Sequence, residues 1–153
     1  MAYSIEQAFR TFGPSLLRHA AVLVGPANAD DLVSEAIVGA LVSPSWETVA
    51  KHEAYLHRAV LNAARARARS NARSAAREWA VVLAELPPEA ERLPRPDVIE
   101  AVKELSVRQR SVVFFTYWED LTAIEVAELL EISEGSVRQH LARAKGHLRK
   151  VLT

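Results

Sequence analysis

The sequence predicts an all-α chain made of two small helical domains joined by a proline-rich linker. Three observations carry this. Apolar residues recur every three or four positions, and strand-like alternation is absent. Residues 85–96 read Glu-Leu-Pro-Pro-Glu-Ala-Glu-Arg-Leu-Pro-Arg-Pro, and four prolines in twelve residues cannot continue a helix. Residues 122–145 read as two short helices across a tight turn. The linker at 85–96 thus separates a domain over 1–84 from a domain over 97–153.

The elements follow in order. Pro14, after Gly13, is expected to open a helix, because proline is tolerated at the first helical position. A second helix is expected after Gly25-Pro26 with Asn28 as its cap. Its apolar stripe is Leu32, Val33, Ala36, Ile37, Ala40 and Leu41, with Asp30, Asp31, Ser34 and Glu35 outside it. Ser43-Pro44-Ser45 breaks the chain, and a long helix is expected from about His52 to about Leu83. Its Ala63–Ala76 stretch is rich in alanine and arginine, which favours helix. The second domain should hold helices near 97–104, 107–118, 122–130 and 134–151.

Composition narrows the function. There is no cysteine, which excludes disulfides and cysteine-based metal sites and suits a reducing cytoplasm. The longest stretch without a charged residue is 11 residues, at 19–29 and 36–46, whereas a membrane-spanning helix needs about 20 apolar residues. No secretory signal pattern opens the chain. The net charge is zero, yet residues 58–77 hold six arginines and no acid, and 138–150 hold five Lys or Arg and no acid. The stretch between them, 78–134, carries 13 of the 19 acids. Local potential is what DNA feels, so two basic segments inside a neutral chain still point to nucleic acid.

The strongest local signal is the helix-turn-helix. Thr122-Ala-Ile-Glu125 is a capping box. Val126, Ala127 and Leu130 form one apolar side, Glu131 and Ile132 make the turn, and Ser133 caps the next helix. There Val137, Leu141 and Ala144 share a face, and Arg138, Gln139 and Arg143 point elsewhere. A recognition helix lies in the major groove with its N-terminal residues on base edges, where Arg reads guanine and Gln reads adenine. Glu134, Ser136, Arg138 and Gln139 are the base-side candidates, and Arg143, Lys145, Arg149 and Lys150 suit phosphates or solvent. The alternative is a helical hairpin with a solvated basic face.

These residues resemble a known family. Phe115-Thr-Tyr-Trp-Glu-Asp-Leu-Thr-Ala-Ile-Glu-Val-Ala-Glu-Leu-Leu130, with Gly135-Ser136-Val137 and Leu141-x-Arg143-Ala144, is similar to region 4 of sigma factors of the extracytoplasmic-function type, above all actinobacterial members. Asn28-Ala-Asp-Asp-Leu-Val-Ser-Glu35, then Trp46, Glu53–Arg58 and Asn62, resembles region 2. The resemblance implies transcription initiation. It places Asp30, Asp31, Leu32 and Glu35 on the clamp helices of the large catalytic subunit of RNA polymerase core, although acids in a first helical turn also answer the helix dipole. Arg58, Arg65, Arg69 and Arg73 share a helical face that suits the −10 element, and Asn62 either contacts template bases or ties helices internally. Trp46 either stacks on a captured base or anchors its loop to the core. The region 4-like half is implied to read the −35 element of promoter DNA, and an anti-sigma factor is an implied further partner.

The chain departs from the family in the helix-turn-helix turn, where members usually carry glycine: here it is Glu131. Its acidic helix has Ala-Ile-Val-Gly-Ala-Leu at 36–41, where members often have an aromatic and an arginine, and the recognition helix opens on Glu134-Gly135. Two other readings stand beside the sigma factor. A regulator binding DNA without polymerase explains 97–153 but not Asn28–Glu35 or 58–77. A degenerate sigma-like protein would bind polymerase without directing transcription. Catalysis is not expected, and neither is a cofactor or metal. His140 and His147 stand about 10 Å apart along one helix, and no phosphate loop, nucleophile elbow or zinc-protease motif occurs.

Overall fold

The computed structural model describes residues 3–70, 101 and 103–152. Its helices are α1 (Ile5–Val24), α2 (Pro26–Val42), α3 (His52–Ser70), α4 (Val107–Val113), α5 (Ala123–Leu130) and α6 (Glu134–Leu152). A 3₁₀ turn, Trp46–Thr48, leads into α3, and a π-turn, Phe114–Trp118, extends α4. Among the described residues there is no strand. The linker at 85–96 and the expected extension of α3 to Leu83 lie outside the described residues.

α1 starts earlier than Pro14. Ser4 Oγ accepts the Gln7 N–H at 3.2 Å, and Gln7 Oε1 accepts the Ser4 N–H at 3.0 Å, so a capping box fixes the first turn. Pro14 therefore sits inside the helix, on its exposed side, where its missing N–H removes one ladder bond. Burial of Leu16, His19, Ala20 and Leu23 on the opposite face sustains the helix. Gly25, at φ 89°, ends α1 and begins α2, a conformation that glycine adopts without strain. Asn28 is accordingly not the cap. Pro26 takes the first helical position and Asn28 lies inside the first turn.

The stripe of α2 is inward as expected, with Leu32, Val33, Ala36, Ile37 and Ala40 buried and Leu41 partly so. In the C-terminal half, Ser106 and Gln109 form a second capping box and start α4. The π-turn is closed by the Glu119 N–H on the Phe114 carbonyl at 3.2 Å. Asp120 then reverses the chain at φ 54°, and Thr122 opens α5.

One apolar cluster runs through both halves. Leu16, Leu32, Ile37, Leu56 and Val60 are continuous with Val112, Phe114, Phe115, Val126 and Val137. Each buried side chain of this size contributes about 1.5–3 kcal/mol relative to exposure. The two helical units thus close on one another rather than standing apart.

Gly39 is exposed in the middle of α2, and a Cβ there would meet nothing within 4 Å. Gly39→Ala should therefore raise stability by about 0.5–1 kcal/mol, read as a higher urea midpoint with an unchanged slope.

Candidate nucleic-acid and polymerase interface

The acidic face of α2 is open to solvent. Asp30, Asp31 and Glu35 are exposed. Leu32 is not: it is fully buried in the core, so its part is to seat the helix, which corrects the contact role that the resemblance gave it. The exposed apolar residues of this face are Val38 and Val42, the latter 77% accessible. Asp31, Glu35, Val38 and Val42 are spaced i, i+4, i+7 and i+11, one helical face. Sequence reasoning missed the two valines because it followed the buried stripe. The second stripe was there to be read.

The basic residues of α3 do not stay together. Arg69 and Asn62 are exposed, Arg65 is half-buried, and Arg73 lies outside the described residues. Arg67 meets Glu35 across the α2–α3 contact at 2.7 Å. Arg58 is turned to the other half. Its Nη1 donates to the Leu129 carbonyl at 3.0 Å, its Nη2 stands 3.5 Å from Glu131, and its guanidinium lies over the Tyr55 ring. Trp46 is 3% exposed, packed edge-on against His52 and Tyr55. His52 Nε2 also reaches the Trp46 carbonyl at 3.2 Å, and the Tyr55 hydroxyl donates to Ser43 Oγ. Of the two readings of Trp46, this packing favours the loop anchor.

The helix-turn-helix forms as its sequence predicts. Thr122 Oγ1 accepts the Glu125 N–H at 3.2 Å, and Glu125 accepts the Thr122 N–H at 3.0 Å. That backbone hydrogen bond holds the Glu125 carboxyl below the usual carboxylate range. Glu131 adopts the left-handed conformation, φ 56° and ψ 44°, which glycine takes without strain and a residue with a Cβ does not. Ser133 Oγ accepts the Ser136 N–H at 3.0 Å and caps α6. Val137 is buried beneath the turn and Ala144 packs two turns further on with Leu105 and Val113, and Arg138, Gln139, Arg143 and Lys145 are exposed. Glu134 and Ser136 are half-exposed, and Glu134 is ion-paired with Arg138 one turn on.

Positive groups from both halves converge beside α6. Burial, and then the charge of Arg65, pulls Arg108 down. Burial, followed by Arg108 and Arg143, lowers the His140 imidazole. Behind this surface, burial brings the Arg110 guanidinium to about 10 while it donates to the Leu23 carbonyl at 2.6 Å and the Leu105 carbonyl at 3.2 Å.

An acidic helix face, a basic helix and a capped helix-turn-helix on one chain define a DNA-binding transcription protein. Comparison narrows this. Family models for Sigma-70 region 2 and Sigma-70 region 4 match residues 8–74 and 95–148. The RNA polymerase sigma-E factor of Streptomyces coelicolor is 33% identical over 96% of this chain and 85% of its own length. That of Streptomyces antibioticus is 33% identical over 96% and 83%. The sigma factor RpoE of Bartonella quintana, solved in complex with the anti-sigma factor NepR, has the same fold, with a TM-score of 0.71 at 20% identity over 96% of this chain and 95% of that one. The chain belongs to the sigma-70 family, as a sigma factor of the extracytoplasmic-function type.

The Glu134–Arg138 pair holds a candidate base-reading residue against an acid of its own helix. Glu134→Gln should free Arg138 and remove a negative charge from the DNA side, raising affinity for a promoter duplex severalfold at fixed salt. An unchanged affinity in a filter-binding titration would place Arg138 away from DNA.

Proposed function

We propose that this chain directs RNA polymerase core to promoters and initiates transcription there as a sigma factor. The observation that carries this reading is the order of two distinct surfaces on one chain. An acidic and apolar face on α2 precedes a helix-turn-helix whose recognition helix, α6, presents Arg138 and Gln139. A DNA-binding regulator needs only the second.

Each surface has a role. Asp30, Asp31 and Glu35, with Val38 and Val42, suit a basic amphipathic partner such as the clamp helices of the large catalytic subunit. Arg58, Asn62, Arg65, Arg69 and Arg73 would follow the −10 strand through phosphate contacts, with Trp46 shaping the adjoining loop. Glu134, Ser136, Arg138 and Gln139 would face −35 base edges, with Arg143 and Lys145 on phosphates. The protein acts as an initiation factor rather than a catalyst, and works in the cytoplasm beside polymerase. An anti-sigma factor is a fitting partner for a chain that folds like RpoE, which was solved with one.

Run-off transcription from promoter-library DNA, with purified polymerase core with and without this protein, tests the proposal. Discrete transcripts that need the protein support it. Co-elution with core without transcripts would favour a degenerate sigma-like protein, and neither would favour a stand-alone regulator. Asp31→Lys should weaken core binding by charge reversal, and an unaltered affinity by surface plasmon resonance would remove Asp31 from the contact. Arg138→Ala should relax preference at one promoter position by roughly 1–3 kcal/mol, whereas uniform weakening over all promoters would assign Arg138 to phosphate.

A further inference from the structure

The seam between the halves contains a chain of buried polar atoms from residues other than those proposed above for DNA and polymerase. His19 of α1 is 0% exposed and His57 of α3 is 2% exposed. His19 Nε2 stands 2.7 Å from Ser111 Oγ of α4, and His19 Nδ1 stands 3.0 Å from His57 Nδ1. His57 Nε2 stands 3.0 Å from Ser15 Oγ and 3.8 Å from Glu53 Oε1. The His19 ring stacks on Phe114 and leans on Phe115, and His57 meets Phe115 edge-on. This polar chain therefore ties the N-terminal helices to the C-terminal half through an aromatic wall.

The Nδ1···Nδ1 contact limits how many protons the pair accepts. One nitrogen must donate and the other accept. In one arrangement Ser111 donates to His19 Nε2, His19 Nδ1–H donates to His57 Nδ1, and His57 Nε2–H donates to Ser15. The reverse direction serves equally. A single extra proton on either ring satisfies these hydrogen bonds, but on His57 its Nε2–H also faces the Glu53 carboxylate, whereas on His19 it is a fully buried charge with no carboxylate beside it. A proton on both rings does not fit, since two N–H groups would oppose each other.

The surroundings offer His19 no relief. On α1, Arg18 pairs with Glu119 at the end of the π-turn at 3.6 Å. On α3, Glu53 serves His57, whose ring holds that carboxyl below the usual range. On α4, Arg110 is engaged with main-chain carbonyls. Among the described residues no carboxylate lies within ion-pair distance of His19. Burial, and then the neighbouring His57, accordingly holds the His19 imidazole well below the ordinary histidine range.

Closure at this seam also engages Arg58, which binds the Leu129 carbonyl and Glu131 in the helix-turn-helix turn. Glu131 is the anion that pairs with it there. We propose that the seam is an acid-released latch: with His19 neutral the halves close and keep Arg58 in the turn, and protonation of His19 parts them and frees Arg58 for promoter DNA. The last step rests on the sigma-factor reading, but the latch is a property of the free chain. The sign follows from linkage. Above about pH 6.5 both the open and closed states hold neutral His19. As pH falls through that value, the open state takes up a proton that the closed state refuses, and closure is weakened.

The chain has no cysteine, so one can be placed on each half, at the exposed Thr11 and Ala142, and labelled with a dye pair. Transfer efficiency should fall reversibly between pH 7.5 and 5.5 while far-UV circular dichroism keeps the helical signal. In His19→Gln, which keeps a hydrogen-bonding group but does not titrate, the fall should be lost. A wild-type efficiency that does not change, or the same fall in the variant, overturns the latch. If the variant does not fold, the ring resonances of His19 in the wild type decide. They should stay those of a neutral ring until the halves part, and an ordinary titration near pH 6.5 in a chain that stays closed overturns the proposal. Transfer is read without polymerase or promoter, so a failed latch and a failed run-off assay are separate results.

Discussion

Burial of Phe114 and Phe115 against α1 and α3 is the contact on which the closed chain depends. Both rings are at most 2% exposed, and both touch His19. Without them α1–α3 would form a three-helix unit with an open apolar side, and the helix-turn-helix would have little beneath it. With them the two units share one core, and the buried polar contacts across the seam, such as His19 with Ser111, are made in a low-dielectric setting where unmatched groups are costly. The polar cross-links at this boundary, from Ser111, Arg110 and Arg58, exist because the aromatic pair brings the surfaces within reach.

Charge is arranged around this core by separation rather than by amount. The chain is neutral in total, yet its acids lead on α2 and its bases on α3 and α6. Several bases nevertheless hold an acid of the same chain: Arg67 with Glu35, Arg58 with Glu131, Arg138 with Glu134. Such exposed or half-exposed pairs are each worth at most about 1 kcal/mol. They are weak enough for phosphate to displace and strong enough to lower indiscriminate affinity. On the proposed function, DNA binding by Arg58 and Arg138 would be an exchange of anions.

Most of the fold was legible because it rests on local chemistry. The α2 stripe, the Thr122–Glu125 box, the Ser133 cap and the strain-prone turn at Glu131 all follow from residues within four positions of one another. Pro14 misled because its local signal was weaker than a cap ten residues earlier, and Asn28 because Gly25 had already taken the cap position. The site was legible in kind rather than in detail. Leu32 and Trp46 belong to motifs whose spacing suggests contact, but only tertiary packing tells that one fills the core and the other pins a loop. The histidine pair could not be foreseen: His19, His57 and Ser111 are joined by nothing except long-range closure.

The five-residue π-turn at Phe114–Trp118 has a bearing on how this chain tolerates change in length. A turn of this kind holds one residue more than an α-helix would. Deleting one residue within it would restore ordinary helix with the flanking phase kept, whereas a residue lost from α4 ahead of it, with the turn unchanged, would swing everything downstream by about 100° about the axis. The recognition helix would then leave its alignment with the rest of the molecule. Two stretches of chain thus face opposite rules. The π-turn can give up its extra residue at little cost in phase, whereas Val107–Val113 acts as a phase-setting spacer in which a single codon gained or lost would be felt at the far end of α6.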